Sequence, residues 1–263
     1  MTLSQLQSNI EKSASLDFSS IFSRSIDLFK KVWVQGFVHL ILGYVVTLGI
    51  SFVFYLLMLL VAIPFGISLN LTEMAAYPEA WAASIGITGI IVFIALYIIL
   101  IMLSTGVFLG IFAHFFCTLR EVDQGNVETS EYFKFLKRPY LFKLAKLGLA
   151  IFGITMLASL ACGLPLFYVI VPIAMMLPVF AFNPDLSVRE LISIAFKVGN
   201  KHWFTIFITL SIFGLITVVA TLFTCGLGAL FLTPLTYIPL YYIYKDTIGI
   251  EETGISDDDI HAM

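Results

Sequence analysis

The stretch LGLAIFGITMLASLACGLPLFYVIVPIAMMLPVFAFNP, from Leu147 to Pro184, contains no Asp, Glu, Lys or Arg. As one α-helix it would be about 57 Å long, roughly twice the hydrocarbon core of a bilayer. Its middle reads Cys162-Gly163-Leu164-Pro165. Glycine permits a tight reversal there, and proline suits the first turn of a returning helix. The run is therefore read as two membrane spans joined by a short turn. His202–Tyr244 repeats the pattern, with Cys225-Gly226-Leu227-Gly228 at its turn. Two further charge-free runs, Val32–Thr72 and Ala80–Leu119, precede them.

Outward from these runs, spans are expected within Val32–Phe65, Ser84–Phe116, Leu144–Cys162, Leu164–Phe182, Trp203–Cys225 and Leu227–Tyr244. Composition agrees: 60% of the chain is hydrophobic, 12% is charged, and the mean hydropathy is +1.01. A soluble domain would carry far more charge. A polar segment over 1–16 leads into one membrane domain over 17–245, and an acidic tail over 246–263 is expected to be disordered. Residues 1–17 hold no apolar stretch of the signal-peptide kind, so the first span is expected to direct insertion. The net charge of −3 gives no pointer to nucleic acid.

The 14 basic residues sort by connection. Lys12, Arg24, Lys30 and Lys31 precede span 1; Arg120, Lys134, Lys137, Arg138, Lys143 and Lys146 follow span 2; Arg189, Lys197 and Lys201 follow span 4; Lys245 follows span 6. The connections after spans 1, 3 and 5 have none. Positive charge stays in the cytoplasm during insertion, so both termini are expected there. Trp33, Trp81 and Trp203 each fall at an expected span end, as interfacial anchors do.

Each hairpin is preceded by a segment with an apolar and a polar side. In Asp17–Lys31 the apolar residues are Phe18, Ile21, Phe22, Ile26 and Phe29, with Asp17 as a candidate N-cap. In Ser130–Arg138 they are Phe133 and Leu136, with Pro139 expected to end or bend the segment. Ser187–Val198 opens on the capping-box spacing Ser187-Val188-Arg189-Glu190. The fold class is thus all-α: a polytopic membrane protein with six transmembrane helices as three hairpins, each preceded by a cytoplasmic amphipathic helix. Arg24, Lys30, Lys31, Lys134, Lys137, Arg138, Arg189, Lys197 and Lys201 are expected at the cytoplasmic lipid interface. Anionic membrane lipids are the partners this charge suits, and the segments also serve as elbows that set span tilt.

The runs hold no Asp, Glu, Lys or Arg for ion coupling. His39 and His114 lie at similar depth in spans 1 and 2, where a metal or haem pair competes with plain interhelical hydrogen bonding. His202 sits at an interface and His261 in the tail. Cys162 and Cys225 occupy equivalent external turns, where a disulfide competes with small-residue packing. Pro172 and Pro178 interrupt span 4, and Pro234 and Pro239 interrupt span 6. No Ser-His-Asp set, paired-carboxylate site, phosphate loop or metal signature is present, so no catalytic residue and no cofactor are assigned.

The segment from Cys162 to Lys245 resembles a broad family of bacterial six-span membrane proteins. The residues that carry the resemblance are Gly163-Leu164-Pro165, then Asn183-Pro184-Asp185-Leu186-Ser187-Val188-Arg189-Glu190, Ser193-Ile194-Ala195-Phe196-Lys197 and Thr233-Pro234. Some members are labelled as the membrane domain of glycerophosphoryl diester phosphodiesterases, and Bacteroidetes relatives sometimes carry a carotenoid-monooxygenase name. The resemblance implies an integral plasma-membrane protein of the bacterial inner membrane with no established catalytic residues. The leading expectation is a non-enzymatic accessory or scaffold subunit, or an envelope-homeostasis factor, with a membrane-protein partner. The alternative is a transporter or flippase for a lipid or apolar solute, motivated by the span prolines and by hydroxyls such as Thr209, Thr217 and Thr221.

Overall fold

The computed structural model describes residues 1–62, 71–126, 131–161 and 163–250. Every regular element among them is helical. Six helices are long and apolar enough to cross a membrane, within Phe18–Leu60, Gly89–Asp123, Arg138–Leu160, Leu164–Phe182, Trp203–Phe223 and Leu227–Thr247. The chain is an all-α, multi-pass membrane protein.

Helix α1, Leu3–Lys12, lies in the segment expected to be merely polar. Its signal is local: Thr2 and Gln5 form a capping box, and Leu6 and Ile10 are buried on one side. Helix α2 runs unbroken from Phe18 to Ala62, 45 residues or about 67 Å. Asp17 caps it, its carboxylate accepting from the amides of Ser19 and Ser20 at 3.1 and 3.3 Å. The first amphipathic segment is therefore the lower part of the first span rather than a separate helix, because no proline or turn residue divides Asp17 from Ala62. A short helix α3, Leu71–Ala76, precedes α4, Pro78–Asp123. Gly86, at φ 63°, breaks α4 near its start.

The second amphipathic segment also departs from expectation. Only one 3₁₀ turn forms, Lys134–Leu136, and Pro139 does not end it. Pro139 instead occupies the first turn of α5, Arg138–Leu160, where its missing N–H costs nothing. Helix α6, Leu164–Phe182, accommodates Pro172 and Pro178 without breaking. The third segment forms as expected, as α7, Val188–Lys201. Its capping box is closed: the Glu190 amide donates to Ser187 Oγ, and the Ser187 amide donates to the Glu190 carboxylate at 2.8 Å. Helix α8, Trp203–Phe223, is followed by a last span divided at Pro234 into α9, Leu227–Leu232, a 3₁₀ turn, Thr233–Thr236, and α10, Ile238–Thr247.

α2 and α4 form the most extensive helix pair, α5 and α6 pack on α4, and α10 packs on α2, α4 and α6. Two glycine–proline contacts draw helices together. A Cβ on Gly36 of α2 would collide with the Pro234 ring, and one on Gly199 of α7 would come 3.0 Å from Pro172 of α6. The core lies where α4, α6, α7 and α10 converge, with Phe112, Phe115, Phe116, Phe180, Tyr241 and Tyr244 fully buried. Toward the far end of α2 large apolar side chains are bare, Leu48 at 67% and Leu60 at 72% exposure. That is the surface a bilayer covers, not one that water tolerates. The ends of the described chain meet: Asn9 Nδ2 donates to the Ile248 carbonyl at 2.7 Å, and the Arg24 guanidinium is bidentate on Asp246.

Candidate functional site

His39 on α2 and His114 on α4 are brought together, with His39 Nε2 2.9 Å from His114 Nδ1. Both rings are fully buried. His39 Nδ1 lies 2.7 Å from the Gln35 carbonyl one turn earlier. A carbonyl only accepts, so Nδ1 carries the proton. Neutral His39 then offers its Nε2 lone pair, and His114 Nδ1–H donates to it. His114 Nε2 is left as a buried acceptor with no hydrogen-bond partner. The sequence builds a pocket for these rings. Gly110, one turn before His114, leaves room for Leu136 and Leu144, so the α4–α5 connection folds against α4. Tyr132 of that connection lies over both imidazoles, its ring centroid 5.0 Å from His39 and 5.3 Å from His114. Phe115 closes another side at 5.2 Å from His39.

This arrangement makes a hydrogen bond between helices. The facing nitrogens stand at hydrogen-bond distance, 2.9 Å, and each is used by the other ring. Among the described residues no group of three or more His, Cys, Asp or Glu is placed to hold a metal ion.

A second polar cluster was not apparent in the sequence. Asp123, at the end of α4, accepts from Tyr241 and Tyr242 hydroxyls at 2.9 Å each and from Lys245 Nζ at 2.6 Å. Arg24 stacks over Tyr242 at 4.6 Å, and Asn183 donates to the Tyr244 hydroxyl at 2.6 Å. These contacts tie the end of α10 to α2, α4 and α6. The available signal was an acid placed just past a charge-free run, with Tyr241-Tyr242 at the end of another and Lys245 just past it.

The cations expected at the lipid interface divide. Lys201 Nζ is held by the carbonyls of Ile10, Glu11 and Ser13 at 2.5, 2.8 and 2.8 Å. It satisfies the last carbonyls of α1, as a basic side chain at a helix C-terminus can. Arg24 pairs with Asp246, Lys30 with Asp27 at 2.8 Å and Lys137 with Glu131 at 3.5 Å. Lys134 sits beside the Phe135 ring. Lys31, Arg138, Arg189 and Lys197 are exposed and make no ion pair among the described residues. His202 joins the α1 contact, Nε2 3.1 Å from Ser13 Oγ, and burial, aided by Lys201, holds its imidazole below the usual histidine range. A groove of about 400 Å³ beside it is lined in part by Ser15, Asn200, Lys201 and Trp203. The Trp203 indole donates to the Tyr168 carbonyl at 3.1 Å and the Tyr168 hydroxyl donates to Asn200 at 2.6 Å.

Cys225 is exposed in its turn at φ 51°. Its candidate partner Cys162 lies outside the described residues, as do Ser130 and the acidic tail beyond Ile250 with His261. No family model, no curated protein and no solved structure matches the chain.

Proposed function

We propose that the chain is a non-enzymatic integral membrane protein of the bacterial plasma membrane, working as an accessory or scaffold subunit or in envelope homeostasis. One observation carries this reading: the two buried histidines face each other instead of a substrate space. The other polar side chains follow suit. Asp123 and Lys201 bind protein groups, and the hydroxyls a solute path would use are spent within helix α8. Thr209, Thr217 and Thr221 each donate to the carbonyl one turn back, at 2.7, 2.9 and 2.7 Å. Such bonds glue or bend helices and commit each hydroxyl's proton to its own helix. Both termini in the cytoplasm is the orientation supported by the cation distribution and by the meeting of Asn9 with Ile248.

The test is purification of the full chain from native membranes in mild detergent. A stoichiometric membrane-protein companion is expected. A lone monomer that instead accelerates lipid scrambling or solute uptake in liposomes would replace this reading with the transporter one.

A further inference from the structure

Four of the cations without an ion pair lie on two helices that touch. On α7 the exposed positions Arg189, Ser193, Lys197 and Asn200 follow one another at helical spacing, opposite the buried Leu191, Ile194, Ala195 and Val198. On α5 the exposed positions Arg138, Phe142, Lys146 and Leu149 do the same. The two helices touch. Lys143 of α5 donates to the Pro184 carbonyl just before α7, and the same lysine helps Ser187 hold the Glu190 carboxyl below its usual range. The two helices that carry these stripes therefore meet at one seam. Lys143 and the capped Glu190 lie at its start, and Asp185 is exposed in the turn before α7. Arg138, Lys146, Arg189 and Lys197 make no ion pair among the described residues, whereas Arg24, Lys30, Lys137 and Lys245 each have a carboxylate.

We propose that the seam between α5 and α7 binds the phosphate headgroup of an anionic phospholipid, with Arg138, Lys146, Arg189 and Lys197 as its cations. The charge of the seam selects a phosphate. The alternation on α5 selects a lipid over a soluble anion. Phe142, 69% exposed, stands between the α5 cations and Leu149, 44% exposed, follows them, where acyl chains cover them and water would not. The stems of Lys146 and Lys197 can lie along those chains with their ammonium groups at headgroup level. The inference rests on the chain being membrane-embedded with this seam at an interface.

Native mass spectrometry of the full chain, titrated with phosphatidylglycerol or phosphatidylcholine, tests it. Phosphatidylglycerol is expected to be retained through higher activation than phosphatidylcholine. Replacing all four cations by glutamine is expected to weaken phosphatidylglycerol binding at least about tenfold, since each well-placed cation contributes about fivefold, and to leave phosphatidylcholine unchanged. Lys30→Gln with Lys31→Gln, two cations removed elsewhere, is expected to change little. Equal retention of both lipids, an unchanged four-cation variant, or an equal loss in the α2 variant would overturn the proposal. Displacement of the lipid by inorganic phosphate alone would overturn its commitment to lipid. Should the four-cation variant not fold, Arg138→Gln/Lys146→Gln and Arg189→Gln/Lys197→Gln are each expected to show part of the loss, and no loss in either counts against the seam. Resistance of the parent chain to alkaline extraction from membranes is read in parallel. Failure there removes the membrane reading itself, whereas failure of lipid selectivity alone removes only the seam.

Discussion

At the residue scale, the buried polar contacts decide how the helices register. The His39–His114 bond joins α2 to α4 deep in the bundle, and losing either partner leaves the other buried with one fewer hydrogen bond. His114→Leu is expected to destabilise the protein by about 1–3 kcal/mol, the cost of an orphaned buried polar group. The double variant His39→Leu/His114→Leu is expected to lose less than the sum of the singles, a coupling that thermal unfolding in detergent would measure. Asp123 is under greater demand, with three donors on one carboxylate. Asp123→Asn is expected to cost about 2 kcal/mol and to loosen α10, seen as faster amide exchange over Ile243–Thr247. The histidine pair was legible in the sequence, since both residues lie at similar distance from the charges that end their runs. Which nitrogen holds which proton was not, because it depends on the Gln35 carbonyl. The role of Asp123 was hidden for a related reason: its partners lie more than a hundred positions away, and only the packing of α10 against α4 makes them neighbours.

At the element scale, local rules predicted best where local forces suffice. The Ser187–Glu190 capping box formed α7 as its spacing requires, because both bonds lie within four residues. The second amphipathic segment failed to form a helix because Pro139 starts α5 so close behind it. Helix α1 was overlooked although Thr2, Gln5, Leu6 and Ile10 carry its signal; its ten residues are too few to persist alone and depend on docking. Lys201 and His202 supply that docking. Burial, aided by Lys201, lowers the His202 pKa in the folded chain, so the folded state binds a proton less tightly than a state that exposes this imidazole. Its contribution is complete above the ordinary value of 6.5 and is lost as pH falls below it. Amide protection over α1 is expected to decline on acidification through that range, and His202→Phe is expected to abolish the pH dependence. The glycine–proline contacts were equally invisible to local reading. Gly199→Ala puts a methyl 3.0–3.1 Å from the backbone of Pro172, and a cost of about 1–3 kcal/mol in thermal unfolding is expected.

At the scale of the whole molecule, hydropathy and cation placement are long-range order written into the chain, which is why six spans could be read directly. The core could not, because lipid-facing and protein-facing apolar residues look alike in sequence. α6 is mostly buried within the protein and the far half of α2 mostly bare, yet both are equally free of charge. The account's central claim is an even number of crossings, with the amino terminus, the α6–α7 turn and the end of α10 in one compartment. Single cysteines, each in a background lacking Cys117, Cys162 and Cys225, test it through a membrane-impermeant maleimide applied to intact and then permeabilised cells. Thr224→Cys is expected to label in intact cells, whereas Ser4→Cys and Asp185→Cys are expected to label only after permeabilisation. Labelling of Asp185→Cys together with Thr224→Cys in intact cells, with Ser4→Cys protected, would contradict the account.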